Sequence, residues 1–184
     1  KVEKERLLNL SLAYESHPDN ITPAVMGGFN VASVHENEVK FITKSIPRTL
    51  RAVVVVPNRP ISTTLSRKTL PYKYSKEDTI FNISHSSLLT AAFMSENWEM
   101  LKYASADMVH QQFRMRHMPE LFEVQKTALK NGALMSTLSG SGSTFFSVAY
   151  SEDSQKLELA LKEKFPHFRV MSVDFDNNGV KIEI

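Results

Sequence analysis

The chain has 184 residues, of which 42% are hydrophobic and 23% charged, and its formal net charge at pH 7 is +2. This composition is typical of a folded globular protein, and the small net charge gives no indication of nucleic acid or an anionic membrane surface as a partner. The longest apolar runs are too short to span a bilayer, and the lack of cysteine excludes disulfides and thiolate metal sites and fits a cytoplasmic protein.

The first part of the chain predicts two helices followed by two strands. Residues 1–15 have a helical pattern that begins without an N-cap or an initiator methionine, so we expect a fragment of a longer protein. Pro18 breaks this helix, and a second, short helix is predicted before Gly27-Gly28. The short helix is expected at residues 21–25 and the strands at residues 29–34 and 39–43.

A linker at residues 45–48 marks the predicted domain boundary, with residues 1–47 as the end of one domain and residues 48–184 as a second domain. The elements predicted in the second domain are strands at 51–57, 133–138, 145–150, 168–175 and 180–184, and helices at 78–94, 98–113, 119–131 and 152–165. The last two strands flank a hairpin signal at residues 176–179. This order of elements resembles a ferredoxin-like α+β sandwich with added helices.

The segment His17-Pro18-Asp19-Asn20 lies on one turn at a helix break. On this turn Asp19 offers a hydrogen-bond acceptor, His17 a donor and Asn20 a side-chain amide. Such a turn can hold a polar substrate and orient a hydroxyl group for reaction. The alternative interpretation is a helix cap beside a solvent-exposed histidine.

The loop Gly140-Ser141-Gly142 lies between two predicted strands. Glycines let the backbone turn and present amide N–H groups to a ligand, and the neighbouring hydroxyl can bond an oxyanion. The loop matches neither a Walker loop nor a dinucleotide-binding fingerprint. The alternative interpretation is a plain hairpin loop.

Two arginines, Arg67 and Arg114, each lie near the end of a predicted element. Guanidinium groups at two such points can clamp a carboxylate in bidentate fashion. The alternative interpretation places both on the surface as ordinary charges. The histidines lack metal-ligand spacing, and His110 and His117 are predicted to lie on a helix surface.

Four motifs in this order resemble the GHMP kinase family. Residues 15–28 are similar to its Glu-Gly-His-Pro-Asp-Asn segment followed by Ala-Pro-Ala-x-x-Gly-Gly, and residues 60–67 to its Ser-Thr…Arg segment. Residues 107–119 resemble Asp-x-x-His-x-x-Tyr-Arg…Pro, and residues 138–144 resemble the third family motif, Leu-Ser-Gly-Ser-Gly-Pro-Thr. Within the family, the His-Pro-Asp-Asn version is fairly specific to the enzymes that phosphorylate L-homoserine.

The resemblance implies an end portion of the GHMP N-terminal domain followed by the ferredoxin-like GHMP C-terminal domain. It implies ATP-dependent phosphorylation of L-homoserine to O-phospho-L-homoserine, a step toward threonine, with ATP and Mg²⁺ as cofactors. Glu15 would match the carboxylate that holds Mg²⁺. His17, Asp19 and Asn20 would face homoserine, with Asp19 nearest its hydroxyl as the catalytic residue. Two roles stay open for Asp19, removal of the hydroxyl proton and orientation of the hydroxyl alone.

The remaining motifs imply further roles. Arg67 and Arg114 would bind the α-carboxylate, and Thr63 would lie near the junction of phosphate and substrate. Gly140, Ser141 and Gly142 would support the phosphate cradle, although Ser143 replaces the usual proline and is expected to loosen the loop.

The family's first glycine-rich motif, Pro-x-x-x-Gly-Leu-Gly-Ser-Ser, is absent from these residues, so we expect the fragment alone to be inactive. Two alternatives stay open: another GHMP kinase acting on a sugar or a mevalonate-like alcohol, and a non-catalytic ferredoxin-like ligand-binding domain. The oligomeric state is also open, with a homodimer among the alternatives.

Overall fold

The computed structural model describes residues 3–59, 66 and 68–181. They form two compact units. The small unit contains the described residues up to Arg48 together with those from Phe175 onward, and the large unit spans Thr49–Asp174.

The small unit consists of two helices and a β-hairpin. Its elements are α1 (Lys4–Ser11), α2 (Pro18–Met26), β1 (Phe29–His35) and β2 (Glu38–Lys44). The strands are antiparallel, with Val31 opposite Ile42. Glu36 and Asn37 form the turn with positive φ angles of 50° and 62°, as a tight right-twisted hairpin requires. The buried centre contains Leu8, Val25 and Val39, so the predicted helix–helix–hairpin order is confirmed.

Residues 176–179 pack on the small unit instead of forming the predicted hairpin. The Gly28 amide donates to the Asp176 carbonyl at 2.8 Å. The Asn177 side chain accepts from the Ile46 amide and donates to its carbonyl, both at 2.8 Å. A Cβ on Gly179 would collide with the backbone of α2, so only glycine fits there.

The prediction of paired strands at 168–175 and 180–184 is therefore wrong for the described part of the second strand. The Val180 amide bonds the Val25 carbonyl rather than a neighbouring strand. The predicted domain division also differs from the compact units at this point, because residues 175–181 pack with the small unit. The division of the family domains at residue 47 stays a prediction.

The large unit has a four-stranded sheet covered by helices. Its strands are β3 (Leu50–Val56), β4 (Met135–Leu138), β5 (Phe145–Tyr150) and β6 (Arg169–Val173), and its helices are α3 (Lys76–Ser95), α4 (Leu101–Ala104), α5 (Gln111–Met115), α6 (Glu120–Lys130) and α7 (Ser151–Lys164). A 3₁₀ turn, Trp98–Met100, precedes α4. The strand order is β4-β5-β3-β6 with every pair antiparallel, which is the ferredoxin-like arrangement predicted from the sequence.

The main core of the large unit lies between this sheet and helices α6 and α7. Leu121 and Val124 of α6 and Leu157 of α7 are fully buried against Val53 and Phe145 of the sheet. The apolar residues recur at three- and four-residue spacing in both helices, which is why the sequence predicts them well. None of the helices in the described ranges is long and apolar enough to cross a membrane.

The predicted helix at 98–113 is wrong in its middle. The chain leaves helical geometry after Ala104 and starts α5 only at Gln111. The Asp107 carboxylate causes the break, because it accepts the backbone N–H groups of His110 and Gln111 at 2.8 and 2.6 Å. Side chains that bond nearby backbone amides in this way compete with a continuous helix.

Candidate functional site

At the start of α2, three of the predicted site residues of the small unit come together. His17 Nδ1 lies 2.5 Å from Glu15 Oε1, and the His17 amide donates to the same oxygen at 3.0 Å. Asn20 Nδ2 donates to Glu15 Oε2 at 3.4 Å. The bonds from the His17 side chain and amide lower the pKa of Glu15, so this carboxylate is ionised at neutral pH.

Asp19 lies in the first turn of α2, directly after Pro18 at the first helical position. Its carboxylate is exposed, and no described residue donates a hydrogen bond to it. A negative charge is favourable at a helix N-terminus, and the exposed carboxylate is accessible from solvent. This placement leaves Asp19 able to accept a hydrogen bond from a hydroxyl group.

The glycine loop, residues 139–144, connects β4 and β5 in the large unit. The Ser139 amide bonds the Thr144 carbonyl at 2.9 Å, and the Gly142 amide bonds the Ser139 carbonyl at 3.0 Å. Gly140 is exposed with a φ of 56°, and no described atom lies within 4 Å of the position of a Cβ on it. The backbone at Gly140 is therefore open to a close approach by a ligand.

Two serine hydroxyls tie the back of the glycine loop to other segments. Ser66 Oγ donates to the Ser141 carbonyl at 2.8 Å, and Ser143 Oγ donates to the Arg59 carbonyl at 2.9 Å. Ser143 thus anchors the loop by a side-chain hydrogen bond, and the expectation that it loosens the loop relative to proline stays a prediction.

Arg114, on α5, contacts the glycine loop directly. Its Nη1 atom donates to the Gly140 carbonyl at 2.9 Å. A guanidinium group carries five N–H donors in a planar fork whose geometry matches a carboxylate. The structure thus brings Arg114 and the glycine loop together, and their roles toward a ligand stay predictions.

A polar network that contains Asp107 and His110 of the Asp-x-x-His motif, together with Asn82, supports α5. The Asp107 side chain is only 7% exposed and accepts a hydrogen bond from Asn82 Nδ2 at 2.9 Å. Burial alone would raise the pKa of Asp107, but the bonds from Asn82 and the amides of Gln111 and His110 outweigh burial and lower it. The Asp-x-x-His spacing at residues 107–110 is the sequence signal for part of this network, whereas nothing in the sequence indicated Asn82 as the partner.

His110 immediately precedes α5, so the prediction of a helix-surface position is wrong. Its Nε2 lies 3.7 Å from Asp107 Oδ1, while its Nδ1 is buried without a hydrogen-bond partner among the described residues. Burial lowers the pKa of His110, the Asp107 charge opposes this, and the Arg114 charge adds to it. His110 is therefore neutral at pH 7.

A cleft of about 230 Å³ opens beside this network. Polar atoms of Asn82, Ser86, His110, Gln111 and Thr137 line it together with apolar side chains. The cleft is large enough for a small polar group or ordered water to reach the buried side of the network.

Thr63 and Arg67, predicted to contact the substrate, lie outside the described residues. The remaining predicted site residues fall into two clusters: Glu15, His17, Asp19 and Asn20 at the start of α2, and Arg114 with the glycine loop in the large unit. Each cluster is consistent with its predicted chemistry.

Glu15 is chemically suited to Mg²⁺. It is an ionised, half-exposed carboxylate, and Mg²⁺ is typically held by one or two carboxylates, waters and substrate phosphates. Within the described ranges, no group of three or more His, Asp or Glu side chains forms a metal cluster.

Comparison with known proteins identifies the class. Residues 86–167 match the family model for the C-terminal domain of GHMP kinases. The chain is 80% identical over all 184 residues to a homoserine kinase of Aliarcobacter butzleri, and 60% identical over 182 residues to one of Nitratiruptor sp.. Residues 86–167 therefore belong to a GHMP kinase C-terminal domain, and the chain as a whole is similar to homoserine kinases over the length compared.

The chain spans 63% and 62% of the lengths of these two relatives, and corresponds to their C-terminal part. Solved structures agree on the fold. A homoserine kinase from Cytophaga hutchinsonii has a TM-score of 0.89 at 24% identity, with 97% of this chain and 60% of that chain covered. The mevalonate kinase of L. major, solved with R-mevalonate, has a TM-score of 0.65 at 19% identity, covering 95% and 60%.

Proposed function

We propose that the protein containing this chain transfers the terminal phosphoryl group of ATP to the hydroxyl of L-homoserine. The observation that carries the proposal is the 80% identity over all 184 residues to a protein named homoserine kinase. Because the chain spans 63% of that relative, the activity is proposed for the full-length protein. ATP as a substrate makes the cytoplasm its expected location.

The cluster at the start of α2 supports a role in holding the substrate alcohol. Asp19 presents an exposed carboxylate that accepts the hydrogen bond of the homoserine hydroxyl and takes its proton as the phosphoryl group arrives. His17 and Asn20 hold Glu15 in place through their bonds to its two oxygens. In this arrangement the Glu15 carboxylate is held for the proposed binding of Mg²⁺, and the Asp19 carboxylate is left for the substrate hydroxyl.

The cluster in the large unit supports recognition of two anionic groups. Arg114 binds the α-carboxylate of homoserine, with Arg67 proposed as its second charged partner and Thr63 near the junction of phosphate and substrate. The open backbone at Gly140 lets phosphate oxygens approach the loop, and Ser141 and Gly142 complete its turn. Phosphoryl transfer depends mainly on such positioning and on charge neutralisation.

Glu15 is the proposed ligand of Mg²⁺, since its ionised carboxylate is an oxygen donor of the kind that this ion prefers. Mg²⁺ would supply neutralisation of the phosphate charge during transfer. The roles proposed for Arg114 and Asp19 are to bind and orient the substrate.

An assay of ADP release with the full-length protein tests the proposal. L-Homoserine, L-serine, L-threonine and mevalonate are compared at equal concentrations, with Mg²⁺ and ATP in excess. We expect the highest kcat/KM for L-homoserine. Equal or better turnover of mevalonate would assign the protein to another branch of the family, and no turnover of any alcohol would favour the non-catalytic binding domain.

A further inference from the structure

The pair Asn82–Asp107, in which Asn82 is half-buried and the Asp107 side chain is buried, links the long helix α3 to the segment before α5. Asn82 Nδ2 donates to Asp107 Oδ1 at 2.9 Å, and Asn82 Oδ1 accepts from the Met108 amide at 2.8 Å. Both ends of the amide are therefore used, which fixes its orientation. The pair anchors the non-helical segment 105–110 to a helix of twenty residues.

Asp107 in turn determines where α5 begins. Its Oδ2 accepts the amides of His110 and Gln111 at 2.8 and 2.6 Å, so one carboxylate oxygen satisfies two N–H groups at the start of the helix. Helix α5 has only five residues, too few to be stable by backbone bonding alone. Its position therefore depends on the buried carboxylate and on the packing of Met115.

From α5, two side chains reach the glycine loop. Gln111 Oε1 accepts the amide of Leu138, the last residue of β4 before the loop, at 3.1 Å. One turn later, Arg114 Nη1 donates to the Gly140 carbonyl at 2.9 Å. A displacement of α5 would consequently move both the entry of the loop and the arginine proposed to bind substrate.

We propose that Asn82 and Asp107 are positioning residues that hold α5, and through it Arg114 and the glycine loop, in the geometry needed for substrate binding. The kinetic part of this inference rests on the proposed function. The structural part is that these two residues keep the backbone ordered at Leu138, where the chain enters the glycine loop. This part does not depend on any activity.

The test uses Asn82→Asp in the full-length protein, because this isosteric change keeps the acceptor for the Met108 amide and replaces the donor with a second carboxylate. Adding Asp107→Asn restores a donor–acceptor pair at the same two positions. Ser84→Ala on the same helix is the matched control, since the Ser84 hydroxyl bonds Phe81 O within α3.

Hydrogen exchange at the Leu138 amide is the first readout. We expect exchange about tenfold faster in Asn82→Asp than in the unmodified protein, a partial return in the double variant, and no change in Ser84→Ala. The amide of Val148, in the central strand β5, should stay slow throughout. If exchange at the Val148 amide also becomes fast, the variant has unfolded. The single variant Asp107→Asn is then measured instead, with about tenfold faster exchange expected at Leu138 and slow exchange at Val148.

Steady-state kinetics with L-homoserine provide the second readout. We expect Asn82→Asp to raise the homoserine KM about tenfold in the otherwise unmodified protein. In a protein that already carries Arg114→Ala, the same substitution should change the KM little, because both changes remove the same interaction. A purely structural role would add to the effect of Arg114→Ala instead. Wild-type Leu138 exchange and wild-type KM in folded Asn82→Asp or Asp107→Asn would overturn the proposal.

The two proposals fail separately. If the unmodified protein does not turn over homoserine but Leu138 exchange responds as expected, the proposed function fails and the positioning role stands. If the protein turns over homoserine but neither readout responds, only the positioning role fails.

Discussion

At the scale of single residues, Asp19 and Arg114 have the proposed roles that are most directly measurable. Asp19 has an exposed carboxylate in the first turn of α2, whereas Arg114 is half-buried and bonded to the Gly140 carbonyl. Asp19 would therefore act on a group that reaches it from solvent, whereas Arg114 is already held by the glycine loop.

Asp19→Asn keeps the size of the side chain and removes its charge. If Asp19 takes the proton of the hydroxyl, kcat should fall by about 10²–10⁴ with little change in the homoserine KM. Steady-state kinetics of the full-length protein measure this, with Glu5→Gln on α1 as the control for loss of a carboxylate. A much smaller fall would mean that Asp19 only orients the hydroxyl, and wild-type kinetics would remove it from the site.

Arg114→Ala should raise the homoserine KM by about tenfold to a hundredfold, because a hydrogen bond to a charged group contributes about 1.5–3 kcal/mol. The KM for ATP should change little. Arg116→Ala is the matched control, since Arg116 is exposed and lies over the Phe113 ring. An unchanged homoserine KM in Arg114→Ala would return this arginine to the role of a surface charge.

At the scale of elements, α6 and α5 illustrate two ways in which a helix is stabilised. Helix α6 presents an apolar stripe to the sheet, with Leu121 and Val124 fully buried. Helix α5 has five residues and depends on the Asp107 carboxylate at its start. The first type is visible in the sequence as hydrophobic periodicity, and the second requires knowledge of a partner distant in the chain.

Two leucine-to-alanine substitutions on α6 should lower the free energy of unfolding of the large unit by different amounts. Leu121→Ala should lower the free energy of unfolding by about 2–5 kcal/mol, because it leaves a cavity between helix and sheet. Leu129→Ala, at a position 42% exposed, should cost about 1 kcal/mol or less. Urea unfolding of both variants measures the difference, and equal losses would contradict the packing described for α6.

At the scale of the whole molecule, the two units differ in the size of their buried centres. Fifteen of the described residues form the main buried cluster of the large unit, whereas three form that of the small unit. Part of the small unit also comes from the far end of the chain, since Asn177 bonds both backbone groups of Ile46. The local free energy of opening should therefore differ between the units.

Hydrogen exchange on the 184-residue chain should show slow amides concentrated in residues 49–174 and faster exchange in residues 3–48. Residues 175–181 should exchange with the small unit, because their bonds are made there. Asn177→Ala should speed exchange at Ile46 and Gly28 without affecting β5, and Asn178→Ala serves as the neighbouring control. Equally slow exchange in both units would contradict the expected difference in stability.

The sequence by itself determined the helices and strands that follow from local residue patterns, together with the motifs that resemble GHMP kinases. Strands β1, β2, β3 and β5 and helices α6 and α7 follow from apolar periodicity, and the His17–Asn20 turn and the glycine loop follow from residue types in short segments. The predicted ferredoxin-like order needed only the succession of these elements.

The tertiary structure alone decided the features that depend on bonds between distant residues. Asn82 and Asp107 break the predicted helix at 98–113, Asn177 binds the end of the chain to Ile46, and Arg114 reaches Gly140. In each case a polar side chain satisfies backbone or side-chain groups far away in sequence, and a buried polar group must find such a partner somewhere. A local sequence pattern can indicate that a polar side chain needs a hydrogen-bond partner. Only the folded chain determines which residue that partner is.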